Sequence, residues 1–353
     1  MSDAQQQRSG PDEDKRTTVT VLVALGANLV ISLAKLLGGL FSNSPALLSE
    51  AAHSVADTLN EVFLLASLKR STRAADAKHP FGYGKERYFW SLLAAVGIFV
   101  MGGCFSFFQG IEALRSSGSE TRTGYVVGLS VLGVALVAEG SSLVRALVQT
   151  RSNARHASRG MVREIRAADD PALRTVLAED STACLGVVLA IVGVGLHMLT
   201  SDIVYEAWAS LLIGALLVFV AFQLASQSRE QLIGEAADPV LRREIHEFLD
   251  DQREIDTVST LLTMRLGIRS TLVAVRVDLA GGMDSEEVEE VLVRIKSDLT
   301  HRWPLADQVF LDVTEATAKD RARAAGERRE LDATVEAQEA RERAEAENTG
   351  PQE

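Results

Sequence analysis

Six stretches of this chain are long and apolar enough to cross a bilayer, and nothing else in it constrains the fold as strongly. A transmembrane helix needs about 20 mostly apolar residues. The stretches run approximately over 17–40, 44–70, 87–114, 123–149, 172–200 and 202–228. The segments between them sort by charge. Lys69, Arg70, Arg73, Lys78, Lys85 and Arg87 lie around the second gap, and Arg151, Arg155, Arg159, Arg163 and Arg166 around the fourth. The other gaps carry two arginines in all. The positive-inside rule therefore puts both basic segments and both termini in the cytoplasm, and the arginines of the fourth gap also suit anionic lipid head groups.

Composition supports this architecture. Hydrophobic residues make up 47% of the chain and aromatics 5%, a balance that fits Leu/Val/Ala-packed helices better than a β-rich soluble protein. A mean hydropathy of only +0.10 requires a sizeable soluble part beside the spans. The net charge of -12 argues against a nucleic-acid partner. Cys104 and Cys184 both fall in apolar runs, so no disulfide framework is readable. Residues 1–16 are polar and lack the apolar core of a secretory signal, and they read as a disordered cytosolic tail.

The texture changes after residue 230. A helical pattern over Pro239–Leu249 precedes two β-rich runs, Thr257–Met264 and Thr271–Leu279. A polar helix over Ser285–Leu299 and a strand over Gln308–Val313 complete an α-β-β-α-β order, which suits helices layered on one small sheet. The domain plan is thus 1–16 tail, 17–230 membrane domain, 231–316 cytosolic α+β domain and 317–353 charged tail. The last of these has no apolar stripe to bury and is expected to be solvated, either disordered or helical.

Within the second apolar run, His53 and Asp57 stand four residues apart, on one helical face. Glu50, Asn60 and Glu61 extend the polar set. Ionisable groups at membrane depth are costly and mark function by default. Imidazole and carboxylate suit a borderline ion such as Zn²⁺, while a buried His–Asp hydrogen bond that only packs helices is the plainer alternative. Glu179 and Asp180 head the fifth run, with Cys184 one turn beyond Asp180. Adjacent positions point about 100° apart on a helix, so the two acids do not share a face without distortion. A free Cys is more commonly a small packing residue than a ligand. In the first basic segment Asp76 and His79 either form a weak entrance site for a cation or belong to a tight Pro-Phe-Gly-Tyr-Gly turn.

These pieces in this order resemble the cation diffusion facilitator family of divalent-metal transporters. The resemblance rests on SPALLSEAAHSVAD ending at Asp57, on HPFGYGK over His79–Lys85 and on EDSTACLG over Glu179–Gly186, and it covers about residues 17–316. It implies six transmembrane helices with a ferredoxin-like cytosolic domain, a homodimer, and metal efflux by proton antiport with alternating access. It places His53, Asp57 and Asp180 on three of four transport ligands. The fourth position is Val176, which has no donor atom. Glu179 is the favoured replacement, as in a branch with a Glu-Asp pair on the fifth helix, with Asn60, water or Cys184 as alternatives. The family's domain histidines fall on Arg276 and Asp312, and Lys85 and Glu235 match a charge pair between the loop and the domain hinge.

The function expected from these readings is export of a divalent cation from the cytosol, zinc first, across the plasma (inner) membrane. No cofactor is expected beyond the transported ion and protons. A transporter selective for iron, manganese or cobalt is the alternative within the family, since one histidine among carboxylates favours harder ions. A non-transporting scaffold or metal sensor is the alternative outside it. No HExxH motif or nucleophile–base pair points to an enzyme.

Overall fold

The computed structural model describes residues 11–115, 122–156 and 171–347. The chain divides into two compact units, one comprising 1–66, 90–152 and 168–226, the other 67–89, 153–167 and 227–353. Residues 1–10, 348–353 and the arginines Arg159, Arg163 and Arg166 lie outside the described residues.

The first unit is a helical bundle. Its elements are α1 (Pro11–Ser42), α2 (Pro45–Ser71), α3 (Glu86–Gly97), α4 (Phe105–Arg115), α5 (Arg122–His156), α6 (Pro171–Thr200) and α7 (Val204–Ile233). A seven-residue π-helical turn, Ile98–Cys104, joins α3 to α4 without a break. Residues 11–16, expected to be disordered, are the first turns of α1; Pro11 opens it, where a fixed φ and a missing N–H cost nothing. Among the described residues, four helices are long and apolar enough to span a bilayer: Glu86–Arg115, Thr123–Arg145, Glu179–Thr200 and Val204–Ile233. In α1 the described apolar stretch is shorter, Asn28–Ser42. In α2 the run is broken by Glu50, His53, Asp57 and Glu61, so its polarity, not its length, separates it from the four.

Small and β-branched residues dominate the bundle core, among them Ala56, Ala135, Val187, Ala190, Val194 and Ala209. Helices in lipid gain little from burying apolar surface against each other, so close approach of small side chains does the packing. Gly110 shows this directly. A Cβ there would lie 2.9 Å from the Ala207 carbonyl oxygen of α7. Large apolar side chains face outward instead, including Val30, Phe41, Val137, Phe219 and Phe222.

In the second unit α8 (Pro239–Asp250), β1 (Ile255–Gly267), β2 (Ser270–Leu279), α9 (Ser285–Arg302) and β3 (Gln308–Val313) reproduce the expected α-β-β-α-β order. The sheet order is β1-β2-β3, with β1–β2 antiparallel and β2–β3 parallel across the α9 crossover. Alternate residues Val273, Val275 and Val277 of β2 pack against Ile245 and Leu249 of α8 and Ile295 and Leu299 of α9. Asp238 caps α8 by accepting from the Val240 N–H, and Asp284 with Glu287 forms a capping box on α9.

The charged C-terminal segment is helical, one of the two expected states, but it is packed rather than wholly solvated. It forms α10 (Ala318–Glu347) and buries Leu331 and Val335 completely or nearly so. Arg321 pairs with Asp278 at 2.8 Å, and Glu339 with Arg243 at 2.8 Å. One apolar residue per turn or two suffices where long ionic side chains cover the rest of the contact. We expect Val335→Asp, which buries a charge without a partner, to speed tryptic release of the tail from the full-length chain at least several-fold, with Val335→Leu unchanged. Equal cleavage rates for the two variants would refute this packing.

Candidate metal-transport site

The polar residues of α2 and α6 meet inside the bundle. His53 is buried and its Nε2 lies 2.8 Å from Asp57 Oδ2, as the four-residue spacing predicts. One turn further on, Asn60 Nδ2 donates to Glu179 Oε1 at 2.8 Å, tying α2 to α6. Glu61 accepts from Asn28 of α1. The Ser142 hydroxyl of α5 donates to Asp180, and the Asp57 carboxylate lies within electrostatic reach of both Glu179 and Asp180. Cys184 is partly buried near Asp180 and Glu139. The Val176 side chain lies outside the described ones.

Each acid is thus held by its own donor, and among the described residues no three of His, Cys, Asp or Glu converge closely enough to hold an ion as placed. Acceptor capacity nonetheless remains. His53 Nδ1, Glu61 Oε2 and Asp180 Oδ2 are buried without a hydrogen-bond partner. Buried polar atoms without partners are uncommon in folded proteins and ask for an explanation. Here they belong to residues of the polar set on α2 and α6, inside a low-dielectric bundle, which suits a cation bound after side-chain rotation.

In the first basic segment Asp76 and His79 are part of a turn. Asp76 accepts from Tyr83 Oη at 2.6 Å and from the His79 and Lys78 N–H groups at 2.8 and 3.0 Å. These bonds, the one from Tyr83 foremost, hold the Asp76 carboxyl below the usual carboxylate range and push the Tyr83 hydroxyl up. His79 stacks on Tyr83 with ring centroids 4.3 Å apart. Asp76 therefore organises the loop with its lone pairs already engaged. The loop then closes on the sheet domain, where a Cβ on Gly84 would lie 2.3 Å from the Leu266 carbonyl oxygen.

The expected Lys85–Glu235 pair is replaced by other partners. Lys85 Nζ reaches the Leu232 carbonyl oxygen at 3.4 Å, in the last turn of α7, where helix carbonyls lack intrahelical donors. Glu235 instead faces Arg265 at 3.8 Å, because the Arg265 N–H bonds to the Glu235 carbonyl oxygen at 2.9 Å and fixes the two side by side. On the sheet, Arg276 and Asp312 stand in register on β2 and β3 and bond to each other at 2.7 Å.

Two buried clusters escaped the sequence reading. Lys35 of α1 joins Glu50 of α2 to Glu139 of α5, and His197 of α6 joins Glu206 of α7, which also accepts from Ser44. The signal was available: each is a lone ionisable residue inside or at the edge of an apolar run.

Comparison with known proteins follows the same lines. The model of the cation efflux transmembrane domain matches residues 21–233. The mitochondrial proton-coupled zinc antiporter SLC30A9 of Homo sapiens is 30% identical over 74% of this chain and 46% of its own length. Metal tolerance protein C4 of Arabidopsis thaliana is 31% identical over 76% of this chain and 59% of its own. The manganese efflux system protein MneP of Bacillus subtilis is 25% identical over 83% of this chain and 94% of its own. The chain spans about half the length of the zinc antiporters it matches. With a helical membrane domain followed by a small three-stranded domain, the chain belongs to the cation efflux family, the cation diffusion facilitators, as a multi-pass membrane protein.

Proposed function

We propose that the chain exports a divalent metal cation in exchange for protons, with His53, Asp57, Glu179 and Asp180 as the transport ligands. The observations that carry this are the Asn60–Glu179 bond between α2 and α6 and the buried acceptor atoms of His53, Glu61 and Asp180 that have no partner. Asn60 positions Glu179, which favours the branch with a Glu-Asp pair on the fifth span. Asp180 with Cys184 one turn on offers the softer side of the set.

The coupling to protons follows from ligand chemistry. An imidazole lone pair and ionised carboxylates bind metal; the same groups protonated do not, so binding expels protons and protonation expels metal. Alternating access of the polar centre to two aqueous sides then makes an antiporter. Six spans, α1 and α2 included, place both termini and both basic segments on the cytosolic side. Relatives named mitochondrial lend the plasma membrane no support, so the proposal fixes sidedness only. A homodimer is part of the proposal, resting on the family resemblance, with the Arg276–Asp312 pair in place of domain histidines.

Zinc ranks first among cargoes, as relatives are named zinc antiporters. Manganese is the second reading, favoured by the carboxylate-rich ligand set and by a relative named for manganese efflux. The test is metal uptake into proteoliposomes under an imposed pH gradient, with Zn²⁺, Mn²⁺, Fe²⁺ and Co²⁺ compared. We expect uptake to rise at least about tenfold with an acidic lumen and to collapse with a protonophore. Metal binding with no gradient-driven flux would turn the assignment to a sensor.

A further inference from the structure

Lys35 stands out among the buried groups that this function leaves unused. Its side chain is fully buried, and its ammonium donates to Glu50 Oε2 at 3.0 Å, Glu139 Oε1 at 2.7 Å and Ser54 Oγ at 2.9 Å. Those bonds use all three ammonium donors. The acids are not so well served: Glu50 Oε1 and Glu139 Oε2 are buried without a partner. One fixed cation therefore faces two carboxylates, a surplus of acceptor charge that a purely structural pin does not require, since a well-packed apolar substitute is often at least as stabilising.

The cluster also sits beside the transport ligands. Glu50 precedes His53 by three residues, about 4.5 Å along the axis of α2 and on the same face. Its free oxygen lies against α6, where a Cβ on Gly186 would come 2.2 Å from Oε1. Glycine leaves that oxygen its room on the very helix that carries Glu179 and Asp180. Glu50 lies toward the Pro45 end of α2, away from Lys69 and Arg70 in its last turn.

We propose that Glu50, Glu139 and Ser54 form a second divalent-cation seat, one helical turn from His53, which the tethered ammonium of Lys35 occupies. Two carboxylates and a hydroxyl are an all-oxygen set, suited to hard divalent ions. A divalent ion and the ammonium repel strongly at such a distance and compete for the same oxygens. Lys35 thus keeps an ion that leaves His53 and Asp57 from being retained at the next carboxylates. The seat borrows its role from the export reading, but its existence is a matter of binding, so the two fail separately.

Equilibrium dialysis of the detergent-solubilised full-length chain with Mn²⁺ reads the seat directly. Lys35→Met is expected to retain one more Mn²⁺ per chain than the wild type, Lys35→Arg to match the wild type, and Lys35→Met/Glu139→Gln to lose the additional ion. Gradient-driven flux of Lys35→Met should fall about tenfold or more while its binding rises. Lys35→Gln, whose amide keeps two donors, serves if Lys35→Met aggregates and should also gain an ion. A folded Lys35→Met or Lys35→Gln that binds no additional Mn²⁺ overturns the proposal. So does failure of both variants to fold, which would make Lys35 a structural pin. An additional ion in Lys35→Met with no flux in the wild type removes the export reading and leaves the seat standing.

Discussion

Alanine at Asp57 or at Asp180 is expected to abolish gradient-driven metal uptake in proteoliposomes, to the level of empty vesicles, while the protein stays folded. The two carboxylates lie on different helices and are within electrostatic reach of each other, so each supplies negative charge that the other cannot replace. Both carboxylates are partly buried, and no neutral side chain replaces the charge that an ionised ligand gives a divalent ion. Asp57→Ala also frees His53 Nε2, which lies 2.8 Å from the lost oxygen, so an intact imidazole would remain but without its orienting acid. Glu179→Ala should weaken uptake about as strongly if Glu179 is a ligand. If it acts only as the acceptor of Asn60, Glu179→Gln will retain transport, since an amide oxygen still accepts that bond. Asp76→Ala provides the contrast: its oxygens are engaged within the loop, and uptake should fall less than about threefold. Flux that persists in the Asp57→Ala/Asp180→Ala double variant would falsify the assignment of these helices as the transport path.

What was legible in the sequence depended on how far apart the interacting residues lie along it. His53–Asp57 is a one-turn contact, and its spacing alone predicts the hydrogen bond observed. The α-β-β-α-β order was equally local, written in the period-2 pattern of β2 and in the caps of α8 and α9. Lys35 bonds residues 15 and 104 positions away, and Asn60 bonds one 119 positions away. No periodicity reports such a pairing. Glu235 illustrates the same limit from the other side. The sequence offers it both Lys85 and Arg265, and only the backbone bond between residues 235 and 265 decides for the arginine. The packing of the tail helix was not legible because Leu331 and Val335 are too few for a visible stripe, and their burial depends on where α8 and β1 stand. Ionisable residues in apolar runs were the one non-local signal open to inspection, and it was used for α2 but not for α1 or α5.

That signal also predicts where the bundle is least tolerant of change. Glu206→Ala is expected to lower stability in detergent by a few kcal/mol, seen as a drop in the thermal unfolding midpoint, without altering the metal affinity of the chain at equilibrium. His197 Nδ1 stands 2.6 Å from Glu206 Oε1, and the Ser44 hydroxyl donates to the other carboxylate oxygen. All three residues are buried, on α6, on α7 and just ahead of α2, and Tyr125 closes the cluster with its ring 5.1 Å from the imidazole. Hydrogen bonds to a charged group contribute about 1.5–3 kcal/mol each, and alanine removes two while stranding both donors. His197 lies about 26 Å along α6 from Asp180, which is why binding should be spared. Glu206→Gln separates charge from geometry. Its amide oxygen still accepts from Ser44, and its NH₂ donates to His197 Nδ1 once the imidazole takes the opposite tautomer. A glutamine variant as unstable as the alanine variant would show that the carboxylate charge, not the hydrogen-bond pattern, joins the ends of α2, α6 and α7.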